Sequence, residues 1–227
     1  MNSPLKADLH LHTRFSPDSL TDLQALVDRC QEVGLDCIAV TDHNTIQGAL
    51  EVQRLAPFLV IVGEEVMTSQ GEVIGLFLRE EIPPRLTALE TVRAIKEQGG
   101  LVALPHPFDP LRSSLGRSGA LEEVLSSADI IEVFNAHDLN PGSRSKAVEL
   151  AERHRLAAVA VSDAHSVREL GHTYTELLAF DGTAQGLLGA LAGAQLQCRR
   201  ASLLLRLLNR YAVWQHRLRS RSGSRRA

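Results

Sequence analysis

The chain has 227 residues, enough for one large domain or two small ones, and 44% of them are hydrophobic against 22% charged. That balance is ordinary for a globular protein and excludes a disordered, collagen-like or disulfide-scaffold chain. The formal net charge of −3 conceals a split: Asp181 is the last acidic residue and residues 199–227 carry nine arginines, so a moderately acidic body precedes a basic tail.

Every apolar stretch falls short of the ~20 residues that span a bilayer. The first residues contain no signal-peptide type of apolar run. Cys30, Cys37 and Cys198 are odd in number and lack metal-type spacing. These features lead us to expect a soluble, cytoplasmic protein with reduced thiols.

Taken in chain order, a strand-like apolar run over 7–12 comes first. Thr21-Asp22-Leu23-Gln24 then reads as a capping box opening a helix that Gly34 ends. A run over 35–40 precedes a helical segment over 45–56, and runs over 58–62 and 73–78 flank Ser69-Gln70-Gly71, a hairpin signal. Thr87-Ala88-Leu89-Glu90 repeats the capping pattern, with Gly99 as its stop. Runs over 101–104, 130–134, 156–161 and 176–180 follow, interleaved with helical segments over 119–127, 143–154 and 184–192. Several runs lack polar alternation, as expected of parallel strands buried on both faces. Strand–helix alternation of this kind predicts an α/β fold.

Polar residues gather where these runs end. His10 and His12 stand in the first run, Asp42 and His43 after the second, Glu64 and Glu65 after the third. His106, His137, Asp163 and His165 follow later runs. Strand C-termini of an α/β barrel share one face, and that face carries the active site. Residues two apart on a strand point the same way, which pairs His10 with His12 and places Asp8 on their face. Seven of the nine histidines lie near a run end, which points to a metal site. Imidazole and carboxylate without thiolate suit Zn, Mn or Fe. With about four ligands per ion, this many candidates imply two or three divalent ions. Clustered ions suit phosphate-ester hydrolysis, because they polarise phosphoryl oxygens, generate hydroxide near neutral pH and stabilise the leaving oxygen.

Asp8-Leu9-His10-Leu11-His12-Thr13, Thr41-Asp42-His43-Asn44, His106-Pro107 and Ser162-Asp163-Ala164-His165 resemble, in order and spacing, the four motifs of the PHP (polymerase and histidinol phosphatase) family. The resemblance spans about residues 5–180. It implies a distorted (β/α)7 TIM-like barrel with two or three metals at its strand C-termini, and phosphoester hydrolysis. On this resemblance His10, His12 and Asp163 hold the first metal. Asp18, six residues after His12, joins His43 and His165 on the second, and Glu65 is the bridging carboxylate. His106 and His137 hold a third metal with Glu65. Glu64 would point to the opposite face of the strand.

Beyond these ligands, Arg112 and Arg117 in the loop after Phe108, and Arg14 after the first motif, are candidates to clamp a phosphate or to be solvated loop residues. His172 is a candidate substrate contact, general acid or plain loop residue. Asp42 either orients a ligand or caps a helix. Asp163, His43, His165 and Arg112 are the expected catalytic group. Residues 1–197 are expected to form the barrel, and 198–227 a basic amphipathic helix with a disordered end. Leu204, Leu207, Leu208, Tyr211 and Trp214 trace one face of that helix. It could pack on the barrel or a second subunit, or meet an anionic membrane surface or nucleic acid. The expected function is hydrolysis of a small phosphomonoester, a nucleotide or sugar phosphate. The alternatives are a nuclease or phosphodiesterase anchored by the tail, and a non-catalytic metal-binding module.

Overall fold

The structure is a computed structural model and describes residues 4–205, 207, 211, 213 and 214. Its elements run β1 (Leu5–Leu11), α1 (Leu23–Val33), β2 (Cys37–Val40), α2 (Gln47–Leu55), β3 (Leu59–Met67), β4 (Glu72–Leu76), α3 (Ala88–Glu97), β5 (Leu101–Leu104), α4 (Leu115–Ser118), α5 (Leu121–Val124), β6 (Ile130–Asn135), α6 (Pro141–His154), β7 (Ala157–Val161), β8 (Tyr174–Leu177), α7 (Ala184–Leu191) and β9 (Gln195–Gln197).

The sheet order is β7-β6-β5-β4-β3-β2-β1-β8-β9. Strands β1 to β3 are mutually parallel, as are β5 to β7, and β4 runs antiparallel to both of its neighbours. The two ends of the seven-stranded set meet. The His12 amide donates to Ala164 O at 2.9 Å and the Asp163 amide to His10 O at 2.9 Å. The sheet is thus an almost closed barrel, with β8 and β9 as an antiparallel extension. The Thr175 hydroxyl ties β8 to β7 through the amide and carbonyl of Ala160, each at 3.0 Å.

Two apolar clusters follow from strand alternation. Leu9, Ala39, Ile61, Ile74, Ala103, Ile130 and Val159 fill the barrel and meet Leu187 and Leu191 of α7. Ile38, Val40, Val60 and Val62 face outward onto Leu26, Val27 and Cys30 of α1 and Ala49 and Val52 of α2. The remaining helices extend this outer layer.

Local signals place most boundaries. The Thr87–Glu90 capping box forms as expected, and Gly34 ends α1 in the left-handed region at φ 72°. The first capping box does not form: Asp22 caps α1, while Thr21 Oγ1 donates to the His165 carbonyl at 3.1 Å. The hairpin is present, but β3 runs on to Met67, carrying Glu64 toward the Ile82 amide and Glu65 toward His106 on opposite faces. The segment over 119–127 folds as α5 followed by a 3-10 turn over Leu125–Ser127, and Gly119 (φ 81°) separates it from the short α4 before it. The run over 176–180 is strand only at its start, since the antiparallel β8 covers Tyr174–Leu177, and β9, only three residues long, carried no legible periodicity.

Asp42 is not a helix cap, since Ile46 stands at the start of α2. Its carboxylate accepts the Thr13 amide and hydroxyl, both at 2.6 Å, and so holds the loop after His12. Residues 203–205, 207, 211, 213 and 214 are helical. Within the expected stripe, Leu204, Leu207, Tyr211 and Trp214 are exposed, and Val213 is the buried residue instead. Leu208 and residues 215–227 lie outside the described residues. Among the described residues no helix is long and apolar enough to cross a membrane.

Candidate metal centre

The C-terminal ends of the strands bring the predicted side chains together in three overlapping groups. In the first, His10 Nε2 and His12 Nε2 are 3.1 Å apart, and each lies 3.3 Å from Glu65 Oε2. Asp163 Oδ1 is 3.5 Å from the first and 3.4 Å from the second. Tetrahedral ligation at about 2.0–2.1 Å places donor atoms about 3.3–3.4 Å apart, so His10, His12 and Asp163 stand at the spacing that one ion requires, with Glu65 Oε2 against both rings. Asp163 Oδ1 is buried and has no hydrogen-bond partner among the described residues.

In the second group, Asp18 Oδ2 lies 3.3 Å from both His43 Nε2 and His165 Nε2, with His12 close by. In the third, His43, Glu65 and Glu72 converge, and His106 Nε2 borders them, 3.1 Å from Glu65 Oε1 and 3.7 Å from Glu72 Oε2. His43 Nδ1 is 3.2 Å from Glu65 Oε2. Glu65 is the shared member, with Oε2 facing His10, His12 and His43 and Oε1 facing His106. The loop after β2 makes this possible: the Asn44 amide donates to Glu65 O at 3.0 Å, laying His43 along β3.

Supporting groups fix the rings. Glu132 Oε1 stands 2.6 Å from His10 Nδ1, and its Oε2 accepts the His106 amide at 2.8 Å. Ser16 Oγ lies 3.0 Å from His12 Nδ1 and accepts the His43 amide at 2.9 Å. His106 (φ 26°) and Asp163 (φ 53°) both adopt the left-handed region. Non-glycine residues enter it at some energetic cost, and such strain gathers at functional sites.

In the protein alone the cluster holds protons. Burial opposes a charged His10, but the Asp163, Glu132 and Glu65 carboxylates outweigh it and keep the ring well above the usual imidazole range. Burial likewise opposes His43, yet Glu65 and Asp18 push it up to about 9. Burial would raise Glu65 and Asp163. The neighbouring cations reverse this and hold both well below the usual carboxylate range: His10 and His43 for Glu65, Arg112 and His10 for Asp163. Glu72 behaves oppositely, because burial and then repulsion from Glu65 raise it to about 7.

A cavity of about 600 Å³ opens over these groups, lined also by Asp109, Leu111, Arg112, Ser113, His137, Val213 and Trp214. Arg112 Nη1 donates to Asp163 Oδ2. His137 reaches the cavity wall but does not join His106 and Glu65: its Nε2 lies 2.9 Å from Glu169 Oε1, and Glu72 stands in the third group instead. Three other candidates stand outside the cavity lining. Arg14 pairs with Asp22 at 3.0 Å on the exposed surface. Arg117 is exposed, and its Nη1 donates to Arg112 O at 3.2 Å. His172 is exposed beside Arg199 and Arg29, away from the cavity. Asp8 also leaves the histidine face, since β1 shifts register between Asp8 and Leu11 and the Asp8 carboxylate accepts the Ser162 amide at 3.1 Å.

Four contributors escaped the sequence reading: Glu72, Glu132, Ser16 and Glu169. A signal existed for Glu132, a charge inside the apolar run Ile130-Ile131-Glu132-Val133-Phe134. Glu72 read as part of a turn.

An almost closed α/β barrel with imidazole and carboxylate donors massed at its strand C-termini defines a barrel protein with a rim metal centre. The PHP domain description matches residues 8–96, and the PHP-associated description residues 141–195. Two uncharacterized proteins of Methanocaldococcus jannaschii are similar. One is 40% identical over 147 residues, 59% of this chain and 83% of that one; the other is 39% identical over 173 residues, 75% and 69%. The chain belongs to the PHP family. A PolC-type DNA polymerase III of Thermotoga maritima is 28% identical over 159 residues, 57% of this chain and 12% of the polymerase. Among solved structures, a two-domain Bacteroides vulgatus protein containing a predicted PHP-like metal-dependent phosphoesterase has a TM-score of 0.70 at 23% identity, covering 87% of this chain and 65% of that one. PsfC of Pseudomonas syringae also gives 0.70, at 19% identity, covering 94% and 99%. These two show the fold.

Proposed function

We propose that the protein is a metal-dependent phosphoesterase that hydrolyses a small phosphomonoester, a nucleotide or sugar phosphate, at two or three divalent ions of Zn, Mn or Fe. The observation that carries this reading is the convergence of His10 Nε2, His12 Nε2 and Asp163 Oδ1 at ligand spacing, with Glu65 Oε2 3.3 Å from both rings. Those four residues would hold one ion, and Asp18, His43 and His165 a second. A third would lie between His106, Glu65 and Glu72. When bound, such ions supply Lewis-acid activation of phosphate and water.

The chain's own groups do the rest. Glu132 sets the tautomer of His10 by accepting from Nδ1, which leaves Nε2 as the donor atom. Arg112 reaches the cavity through its guanidinium, whose fork matches phosphate oxygens. Among the described residues the cavity lining holds Ser113 and no cysteine, and water is the nucleophile we assign to this site.

Phosphate release from AMP, ribose 5-phosphate and histidinol phosphate, with added Mn, Zn or Fe, tests the reading against Asp163→Ala. Release lost in the variant supports it. Equal release by both proteins, or no release from any compound, refutes it.

Two quantitative expectations follow from the geometry. Glu132→Gln keeps the side chain's shape but weakens the acceptor behind His10, so metal affinity falls about 10–100-fold. Competition with a chelating indicator measures this, and an unchanged affinity would count against the arrangement. Metal uptake also depends on pH, because ions and protons compete for the same lone pairs. His43 keeps its proton up to about 9, so affinity rises with pH through that value and levels off above it. Titration calorimetry in buffers of different ionisation heat reports the released protons, and a pH-independent affinity between 6 and 9 would contradict the expectation.

A further inference from the structure

Within the cavity lining, apolar side chains are few. Among the described residues, Leu111, Val213 and Trp214 are the only ones, and the other described lining residues carry polar or charged groups. The organic part of a phosphoester bound here can pack against this wall. Leu111 comes from the loop after β5. Val213 and Trp214 come from beyond β9.

The chain is held in place on the way to that wall. Thr173 Oγ1 accepts the Arg199 amide at 3.0 Å, and the Ala201 amide donates to Ala136 O at 2.9 Å, just past the C-terminal end of β6. These bonds deliver the segment onto the barrel face that carries the metal-compatible donors. There Val213 is seated, at 8% exposure, while Trp214 stays 55% exposed. The Tyr211 ring lies 5.9 Å from the Trp214 ring at 30°, which orients the indole. An exposed, oriented indole beside a polar cavity offers a π face to a planar ring. The cavity's volume suits a ligand of nucleotide size.

We infer that Trp214 is a specificity-determining residue, whose indole receives a planar ring carried on the leaving group of the phosphoester. This rests on the phosphoesterase reading above, and it separates the two substrate classes that reading leaves open. A nucleoside monophosphate presents a base to the indole. A sugar phosphate presents none. Stacking of a base on an aromatic side chain has effects large enough to decide between such substrates.

AMP and ribose 5-phosphate test the inference, because they share the same ester and leaving oxygen and differ by the adenine. In the wild-type protein kcat/KM is expected to favour AMP by about tenfold or more. Trp214→Ala collapses that ratio toward one, and Trp214→Phe retains most of it. A second readout needs no turnover. Trp214 is the chain's single tryptophan, so its emission reports this site alone. AMP should shift the emission saturably, and ribose 5-phosphate at the same concentration should not.

A ratio near one in the wild type, a ratio that survives Trp214→Ala, or emission unmoved by AMP would overturn the inference. If neither compound is hydrolysed but AMP still shifts the emission, the phosphoesterase reading fails and the contact stands. If both are hydrolysed equally, the contact fails and the phosphoesterase reading stands.

Discussion

Glu65→Gln is expected to lower kcat/KM for phosphate release by at least about a thousandfold, equivalent to about 4 kcal/mol of transition-state stabilisation. Both oxygens of Glu65 face imidazole nitrogens: Oε2 lies 3.3 Å from His10 and His12 and 3.2 Å from His43, and Oε1 lies 3.1 Å from His106. An amide has the same size but carries no charge and turns one of those oxygens into a donor. It therefore weakens every ion that shares the position. Metal content measured by plasma mass spectrometry should fall along with activity. Glu64→Gln is the matched comparison, one residue away on the other face of β3. Its Oε2 accepts the Ile82 amide at 2.8 Å and its carboxyl is raised to about 7 by burial. That variant is expected to stay within about threefold of wild-type activity, since glutamine keeps an oxygen to accept the Ile82 amide and Glu64 is not among the groups lining the cavity. Full metal content and near-normal activity in Glu65→Gln would remove the shared-ligand assignment.

Gly48→Ala is expected to lower the melting temperature by about 5–15 °C, from a destabilisation of about 2–4 kcal/mol. A methyl at this position of α2 collides with the Asp42 carboxylate and Thr13 Oγ1. Those two groups are joined by hydrogen bonds of 2.6 Å that hold the loop leaving His12. The methyl must break the pair or shift the helix, so metal affinity should fall together with stability. Gly189→Ala in α7 provides the contrast, because no atom lies within 4 Å of the added methyl. It should stabilise the protein by about 0.5–1 kcal/mol through helix propensity. Calorimetric melting of both variants checks the pair. Equal melting temperatures for Gly48→Ala and wild type would mean that this close approach is not needed.

Much of this arrangement was legible in the residues themselves. Strand-like runs ending in His, Asp or Glu announced a rim, and the rim holds His10, His12, Asp18, His43, Glu65, His106, Asp163 and His165 close together. Alternation separated Glu65 from Glu64 correctly. It failed for Asp8, because one register shift in β1 breaks the period of two on which the argument depends. Loop residues were the weakest part. Nothing in local spacing tells whether Arg112 or Arg117 turns inward, since that depends on the path of the chain between Phe108 and Leu115. His137 and Glu72 illustrate the same limit. His137 follows a strand end yet is held by Glu169, while Glu72 begins an inverted strand whose start faces the cluster. The wall formed by Val213 and Trp214 was hidden for another reason. Helical periodicity picked out a stripe whose members Leu204, Leu207 and Tyr211 are exposed, and it passed over Val213, which is buried.

The most direct test of the account is phosphate release before and after the metal is removed. The protein would be stripped with a chelator, dialysed, analysed for metal and assayed with AMP, then assayed again after Mn, Zn or Fe is restored. The account predicts that release vanishes on stripping and returns as two or three ions per chain are taken up. Undiminished release from protein verified to be free of metal would contradict it.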